Sequence, residues 1–212
     1  MKKIAVVGYR GKMGKPIFLA LKENYELVGI GRGDSLQNCE GLDLVIDVAS
    51  HETSLSSAEY CLKEDIPIII GSTGQTEQEE ARINEISKRI LVIKKANFSG
   101  GIDAVRSIIL RVLEMGPNRV VISETHHVNK LDSPSGTALA LMGLIKSRFK
   151  GNVEIYSFRE GDVRGEHQVK FYFDDEEIEI KHSILSRLAF VKGVVKEVEN
   201  YFKKIDKKEK NL

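Results

Sequence analysis

The sequence has almost no excess charge of either sign, because 32 Lys and Arg residues are balanced by 31 Asp and Glu residues. A chain without a broad positive field has little attraction for nucleic acid or for an anionic membrane surface. It also lacks an apolar run near the roughly 20 residues that a membrane-spanning helix needs. We therefore expect neither a nucleic-acid nor a membrane partner, and any anionic ligand must be bound by a local group of cations.

Cysteine is also scarce, and the chain has no CxxC motif. The two cysteines, Cys39 and Cys61, stand among residues that indicate no metal or redox site, which favours reduced structural thiols. The first eight residues contain an apolar stretch too short for a secretory signal and lead directly into a glycine turn. We expect a cytoplasmic protein.

The first half of the chain alternates short β-branched runs with longer segments of helical period. Strands are predicted at 4–7, 26–30, 42–48, 67–71 and 90–94, and helices at 13–22, 53–63 and 77–89. This alternation is typical of a parallel sheet with crossover helices. We expect a Rossmann-like, doubly wound α/β domain.

The pattern changes after residue 101. Helices are predicted at 103–115 and 136–148, and strands at 119–125, 153–158, 168–173 and 177–182, the last two joined by a hairpin turn. This pattern predicts a second, α+β domain with an open mixed sheet over 99–186. A final helix at 187–205 is expected to return to the first domain, so residues 187–212 would complete the domain formed by 1–98.

A glycine-rich turn follows the first predicted strand, with Gly8, Gly11 and Gly14 spaced as GxxGxxG. Glycines at this place let the backbone turn tightly and approach a pyrophosphate, while the next helix presents free N–H groups. The spacing departs by one residue from GxGxxG, and a plain structural turn is the alternative. The five surrounding βα alternations favour a dinucleotide site.

The end of the second predicted strand bears on cofactor choice. An acid here would bind a free ribose 2′-hydroxyl, but the chain has Arg32, and Asp34 comes two residues later. A guanidinium can bind a 2′-phosphate, which slightly favours NADP over NAD. A solvated loop charge is the alternative for Arg32.

The densest group of chemically useful side chains lies between Glu124 and Thr137. A metal site is disfavoured, since neither HExxH nor a cysteine partner is present. A structural role would leave one histidine hydrogen-bonded and Lys130 solvated. The third interpretation is an anion-binding and proton-transfer site, in which His126 and Lys130 supply charge and protons and the helix start at Ser135 holds a carboxylate. The closeness of these groups in sequence favours the third interpretation.

Three further polar features are less specific. The loop 159–167 either lines the same site or holds the edge of the sheet, and its glycines favour the structural role. His182 is expected to be a hydrogen-bonded sheet residue. Arg187 is well placed to bind a second carboxylate, although it can equally pair with an acid.

These residues together resemble the 4-hydroxy-tetrahydrodipicolinate reductases, the dihydrodipicolinate reductases of lysine biosynthesis, over nearly the whole chain. The resemblance rests on VGYRGKMG at 7–14, IGSTG at 70–74, ANFS at 96–99, HHVNKLDSPSGT at 126–137, GD at 161–162, GEH at 165–167 and the segment 182–187. The block at 126–137 is the most specific of these.

The resemblance implies reduction of a cyclic dicarboxylate with NADPH or NADH, without a metal. It makes His126 the general acid or base and Lys130 the proton donor. The implied substrate contacts are His127, Ser135, Gly136, Thr137 and Arg187. The implied cofactor contacts are Gly8, Tyr9, Arg10, Gly11, Lys12, Met13, Gly71, Ser72, Thr73, Ala96, Asn97, Phe98 and Ser99. Arg32 is added to them from its place after the second predicted strand, where family members often have an acid. It also implies a homotetramer built through the sheet of the second domain.

The chain departs from the family pattern after the third predicted strand. Family members often have Asp-Phe-Thr or Asp-Phe-Ser there, whereas this chain has Asp47, Val48, Ala49 and Ser50. It also ends soon after the returning helix. These departures leave a non-catalytic NADP-binding sensor, or another Rossmann oxidoreductase of amino-acid metabolism, as alternatives.

Overall fold

The computed structural model describes residues 1–209, which form two compact units. The first contains Met1–Phe98 and the chain from Phe190 onward, and the second contains Ser99–Ala189. The chain leaves the second unit three residues later than the boundary expected at 186/187. The end of the predicted segment 187–212 lies outside the described residues, and the roles expected for the two domains stay predictions.

The first unit is built on a five-stranded sheet in which every pair of neighbouring strands is parallel. Its strands are β1 (Lys3–Val7), β2 (Glu26–Ile30), β3 (Leu44–Asp47), β4 (Ile68–Ile70) and β5 (Val92–Lys94), in the order β2-β1-β3-β4-β5. Its helices are α1 (Gly14–Leu21), α2 (His51–Glu64), α3 (Glu77–Ile86) and, after the second unit, α6 (Leu188–Glu209). The predicted doubly wound sheet is confirmed.

Apolar residues cover both faces of this sheet because successive strand residues point to opposite sides. On one face Ala5 and Val7 pack with residues of α2 and α3. On the other, Ile4 and Val6 pack with α1 and with Val191, Val194, Val198 and Phe202 of α6. Helix α6 is therefore part of the first unit's core, with each fully buried aliphatic side chain contributing about 1.5–3 kcal/mol.

The second unit has a four-stranded mixed sheet with the order β7-β6-β8-β9. Its elements are α4 (Gly100–Leu113), β6 (Arg119–His126), α5 (Gly136–Arg148), β7 (Asn152–Arg159), β8 (Glu166–Tyr172) and β9 (Glu177–Ser183). Strands β6 and β7 are parallel because α5 crosses between them, whereas β8 is antiparallel to both β6 and β9. The predicted mixed sheet is confirmed.

Helices α4 and α5 cover one face of this sheet. Ile109 of α4 and Leu141 and Ile145 of α5 are buried against Val120, Ile122, Val169 and Phe171 of the strands. The register sets Glu124 of β6 beside His167 of β8, and His126 of β6 beside Arg159 of β7. Polar residues of three strands are thereby brought to the carboxyl-terminal end of β6.

Two helices begin earlier than the sequence pattern predicts. Helix α4 begins at Gly100 rather than at residue 103, because the Ser99 side chain accepts a hydrogen bond from the Gly101 amide at 3.2 Å. Helix α2 begins at His51 rather than at residue 53, and the Ser50 amide donates to Thr53 Oγ1 at 3.2 Å. In both cases the cap lies before the predicted start, and in α4 it extends the helix through two glycines of low helix propensity. No helix in residues 1–209 is long and apolar enough to cross a membrane.

Candidate active site

Glu124 and His126 lie on the same buried face at the end of β6, where exposure alternates residue by residue. Glu124 is 1% exposed and His126 is 7% exposed. The Nδ1 of His126 forms a short hydrogen bond with Oε2 of Glu124. The strand therefore holds a buried carboxylate–imidazole pair at its carboxyl-terminal end.

The Glu124 carboxylate has two further partners. Its Oε1 accepts hydrogen bonds from the backbone N–H of Ser135 at 3.2 Å and from Nη1 of Arg159 at 3.1 Å. Burial alone would raise the pKa of Glu124, but the hydrogen bonds with His126 and Arg159 outweigh it and leave the pKa below its usual value. Glu124 is therefore a carboxylate at neutral pH.

His126 is held as a neutral imidazole. Burial lowers its pKa, with help from the positive charges of Lys130 and Arg159, and these effects outweigh the opposing influence of Glu124. A carboxylate only accepts hydrogen bonds, so Nδ1 carries the proton. The Nε2 atom is left with a free lone pair, suited to accepting a proton.

Lys130 lies in the loop between β6 and α5 and is paired with an acid two residues later. Its Nζ donates to both carboxylate oxygens of Asp132, at 2.7 and 2.9 Å. Burial works to raise the pKa of Asp132, but the hydrogen bonds from Lys130 and from the backbone of Gly136 lower it overall. Lys130 and the start of α5 thus already hold one carboxylate between them.

Ser135 is the N-cap of α5. Its hydroxyl, 1% exposed, accepts a hydrogen bond from the Ala138 amide at 3.3 Å. Thr137 is buried in the first turn, and that turn contains no acidic residue. The start of α5 therefore already binds two carboxylates, because the Ser135 amide donates to Glu124 and the Gly136 amide to Asp132.

The predicted substrate contacts His127 and Arg187 have fewer contacts with the rest of the site. His127 follows β6, is half-buried, and accepts a backbone hydrogen bond from Lys130 at 3.0 Å. Arg187 is half-buried and lies three residues after Ile184, whose amide donates to the carbonyl of Gly165 at 2.8 Å. Glu124 is hydrogen-bonded to His126 and Ser135, and the charge of Lys130 lowers the pKa of His126. Among the described residues, Arg187 has no hydrogen bond or ion pair with these four.

Three residues of this site were assigned no individual role by the sequence. Glu124 could have been found, because residues two apart on a strand share a face. Arg159 and His167 delimit the loop 159–167, for which lining the site was one of two interpretations, but their individual places depend on strand register. His167 is 2% exposed, its Nε2 lies 3.4 Å from Ser135 Oγ, and burial lowers its pKa to about 3.

In the first unit, the turn from β1 to α1 requires glycine at two positions. Gly8 has φ +80°, and a Cβ there would lie 2.8 Å from the Cα of Ala49. A Cβ on Gly14 would lie 2.1 Å from the carbonyl oxygen of Gly8. Helix α1 has neither a side-chain cap nor an acid in its first turn. The Lys15 amide donates to the carbonyl of Gly11 and Pro16 has no N–H, so the amides of Met13 and Gly14 are the donors that this helix start can offer an anion. These features fit the pyrophosphate of a dinucleotide.

The end of β2 carries charges of both signs. The Arg10 guanidinium lies over the Tyr9 ring, 5.1 Å from its centroid, and donates to the Tyr9 hydroxyl at 2.7 Å. Asp34, although late in sequence, turns back so that Oδ2 accepts from the Gly31 amide at 2.9 Å. Arg32 is exposed. An acid is thus present where a ribose hydroxyl would bind, close to two arginines that suit a phosphate.

The cofactor contacts predicted after β4 and β5 have both apolar and polar neighbours. A Cβ on Gly71 would lie 3.0 Å from Val48 and 3.4 Å from Phe98, so these three residues pack closely. The Ser72 hydroxyl is hydrogen-bonded to Ser54, and Gln75 Nε2 donates to it at 3.0 Å.

The remaining predicted cofactor contacts differ in how far they are exposed to solvent. Lys12, Ala96 and Gly11 are exposed, whereas Met13, Thr73 and Asn97 are half-buried. Ser99 belongs to the second unit, where its hydroxyl caps α4 and lies 3.3 Å from Nε2 of His182. The roles of all these residues at the cofactor stay predictions. Within residues 1–209 no group of three His, Cys, Asp or Glu side chains could hold a metal ion.

Comparison with known proteins gives the same family for both parts of the chain. Residues 2–98 match the family described as dihydrodipicolinate reductase, N-terminus, and residues 101–212 match dihydrodipicolinate reductase, C-terminus. The 4-hydroxy-tetrahydrodipicolinate reductase of Thermosipho africanus is 32% identical over 200 residues, covering 92% of this chain and 88% of that protein. The enzyme of the same name from Brachyspira hyodysenteriae is 33% identical over 204 residues, covering 88% of each chain.

A solved structure supports the fold. The dipicolinate-bound dihydrodipicolinate reductase from Paenisporosarcina sp. TG-14 superimposes with a TM-score of 0.68 at 20% identity, covering 92% of each chain. The family matches span both units, and the sequence relatives cover most of the chain. The chain therefore belongs to the dihydrodipicolinate reductase family.

Proposed function

We propose that the reaction of this family is carried out in this chain by His126 and Lys130. As a member of the family, the chain is an NAD(P)H-dependent 4-hydroxy-tetrahydrodipicolinate reductase of the diaminopimelate route to lysine. This assignment of roles rests on the buried Glu124–His126 pair. Glu124 also binds the Ser135 amide at the start of α5, and the loop that carries Lys130 lies between the pair and that helix. A proton acceptor, a proton donor and a carboxylate-binding helix end belong to one connected structure.

The substrate is a cyclic dicarboxylate, and the second unit is proposed to bind it. His127, Ser135, Gly136, Thr137 and Arg187 are the proposed substrate contacts. The Asp132 carboxylate supports this proposal, because Lys130 and the Gly136 amide already hold it. A substrate carboxylate would take the place of the Asp132 carboxylate at these donors.

In the overall reaction the 4-hydroxyl of the substrate leaves as water, which gives an unsaturated ring, and a hydride and a proton add to neighbouring atoms of that ring to give tetrahydrodipicolinate. Bound NADPH or NADH supplies the hydride, and with it both electrons. We assign the proton to the ammonium of Lys130, which also stabilises negative charge that develops on the ring as the hydride arrives. His126, neutral and fixed by Glu124, exchanges a proton with substrate through Nε2 as general acid or base.

The first unit is proposed to hold the cofactor. Gly8 and Gly11 let the backbone approach the pyrophosphate, and the amides of Met13 and Gly14 at the start of α1 supply N–H donors. The other proposed contacts are Tyr9, Arg10, Lys12, Met13, Arg32, Gly71, Ser72, Thr73, Ala96, Asn97, Phe98 and Ser99. Metal is assigned no part in this reaction.

The proposed assembly is a homotetramer formed through the sheet of the second unit. Strand β7 is an edge strand, and its Tyr156 and Phe158 are 48% and 53% exposed. An edge strand carrying exposed aromatic residues favours pairing with another copy. We propose no nucleic-acid or membrane partner, and the free thiols of Cys39 and Cys61 favour a reducing compartment such as the cytoplasm.

The decisive experiment measures oxidation of NADPH and NADH with substrate made in place by the preceding synthase of the pathway. The expected result is oxidation that depends on the synthase. Binding of pyridine-2,6-dicarboxylate should also tighten when cofactor is present. Oxidation of neither cofactor, with cofactor binding intact, would instead favour a non-catalytic sensor.

A further inference from the structure

We propose that Arg159 is a positioning residue that holds the Lys130 loop in a fixed place relative to the Glu124–His126 pair. The inference rests on the proposed function, because it concerns the geometry of the two residues proposed as catalytic. Arg159 is the last residue of β7 and lies beside His126 in the parallel β6–β7 register. It belongs to neither the helix nor the loop that carries the other site residues.

The Arg159 guanidinium binds acceptors from three separate segments. Its Nη1 donates to Glu124 Oε1 at 3.1 Å and to the carbonyl of Phe158 at 2.6 Å. Its Nε donates to the carbonyl of Lys130 at 3.2 Å, and its Nη2 donates to the carbonyl of Asp132. One planar group thus spans the carboxylate that holds His126 and the two carbonyls that bracket residue 131.

The loop has little else to fix it. Val128 and Leu131 are 61% and 98% exposed, so apolar packing contributes little to its position. The Val128 amide donates to the carbonyl of Gly161 at 3.2 Å, and the Lys130 amide forms a turn with His127. The carbonyls of Lys130 and Asp132 are both bound by Arg159, which ties the backbone around Lys130 to the end of β7. The Ser135 amide, bound to Glu124, restrains the other end of the loop.

An arginine is required for this role because the acceptors lie in different directions. The guanidinium has five N–H donors in a rigid fork, whereas a lysine ammonium is a point charge on a flexible stem. Lysine at residue 159 would keep a positive charge near Glu124 but would lose the fork that joins three segments. The positioning effect and the charge effect of Arg159 can therefore be separated by substitution.

The charged and titratable groups that face His126 are Glu124 on its own strand, Lys130 in the loop, Arg159 on β7 and His167 on β8. Loss of the Arg159 charge removes one influence that lowers the pKa of His126. Arg159→Met should therefore shift the pH profile of kcat to higher pH, whereas Arg159→Lys should leave the profile in place. Both variants should lower kcat, by roughly 10-fold to 100-fold if one or two charge-assisted hydrogen bonds are lost.

The experiment compares wild type, Arg159→Lys and Arg159→Met in kcat, KM, pH profile and thermal unfolding. Arg119→Lys is the matched control, since Arg119 lies at the other end of β6 and binds Glu154 at 2.7 Å. The expected result is a large loss of kcat in Arg159→Lys with an unchanged pH profile, an unchanged NADPH affinity and a folded chain. Arg119→Lys should keep the wild-type kcat.

Two further measurements keep the test decisive. If a variant at residue 159 unfolds, Arg159→Ala is assayed with millimolar guanidinium chloride, which should occupy the place of the missing side chain and restore part of the turnover. The control is Arg119→Ala, whose turnover should not rise when guanidinium chloride is added. Lys130→Ala separates this inference from the proposed function. If Lys130→Ala loses turnover but Arg159→Lys does not, the inference about Arg159 is wrong; if Lys130→Ala keeps its turnover, the proposed function itself has failed.

Discussion

His126 and His167 lie edge to face at the end of β6, with ring centroids 5.2 Å apart and ring planes at 74°. Both rings are buried, and the pKa of each is lowered mainly by that burial. Two protonated imidazoles at this distance would repel each other in a region with little water. The site therefore favours a neutral His167, which contacts His126 and Ser135 without adding charge.

This arrangement predicts an acid-dependent loss of stability. His167 has a folded pKa of about 3, below the unfolded value of roughly 6.5, so its contribution is present above pH 6.5 and is lost as the pH falls. The unfolded chain takes up a proton that the folded chain does not. Between pH 7.5 and 5 this one group should cost about 2 kcal/mol of unfolding free energy.

Urea denaturation of wild type and His167→Gln across this range measures the effect. The glutamine does not titrate, so its stability should fall less steeply with decreasing pH, whatever its absolute stability at pH 7.5. If the unfolding free energies of the two proteins fall equally steeply with pH, His167 takes up a proton as readily in the folded chain as in the unfolded chain.

A second prediction concerns Gly165, which has φ +147°. A Cβ at this residue would lie 3.1 Å from Nε2 of His126. Gly165→Ala should displace the imidazole and lower kcat by roughly 10-fold, with little change in NADPH affinity, because hydride and proton transfer depend on geometry at the sub-ångström scale.

Gly161→Ala is the matched control in the same loop. Gly161 also has positive φ, +47°, but its Cβ would meet no atom within 4 Å. Backbone strain should lower the stability of both variants, whereas only Gly165→Ala should lose turnover. The same loss in both would attribute the effect to strain rather than to contact with His126.

A third prediction concerns cofactor choice. Asp34 presents a carboxylate at the end of β2, whereas Arg32 and Arg10 present positive charge nearby. Asp34→Asn should raise the preference for NADPH over NADH, because it removes repulsion of the 2′-phosphate and a partner for the 2′-hydroxyl. Arg32→Ala should change the preference in the opposite direction.

The ratio of kcat/KM for the two cofactors measures this preference. A change of about 3-fold to 10-fold in each direction is expected for charges that are exposed to solvent. If Asp34→Asn leaves the ratio unchanged while Arg32→Ala alters it, the carboxylate does not face the ribose.

Much of the fold followed from local patterns in the sequence. Alternating runs and helical periods located the strands and α-helices of the described residues, but not the short 3₁₀ helix at Leu36–Asn38. They succeeded because the first unit buries both faces of a parallel sheet and the second buries one face of its sheet. The predicted bounds were wrong at several places: α3 ends at Ile86 rather than at residue 89, and β5 begins at Val92 rather than at residue 90. Helices α2 and α4 begin earlier than predicted, at the caps Ser50 and Ser99. Side-chain capping there outweighed intrinsic helix propensity.

The site was only partly visible in the sequence. His126, Lys130 and Ser135 stand in one short block, so their closeness could be expected. Arg159 could not be placed, because its position beside His126 depends on a parallel register across a crossover helix. Asp34 was also missed as an acid at the end of β2, because its return to Gly31 is a loop conformation that strand spacing does not predict.

The most direct test of the account is the turnover of Lys130→Ala, measured as NADPH oxidation with substrate supplied by the preceding synthase. Lys181→Ala is its control, since Lys181 lies on β9 in an ion pair with Glu166 at 2.8 Å. The account predicts a fall in kcat of roughly 10²-fold to 10⁴-fold for Lys130→Ala, unchanged NADPH affinity, and wild-type kcat for Lys181→Ala. A Lys130→Ala variant that turns over at the wild-type rate would contradict the assignment of Lys130 as the proton donor.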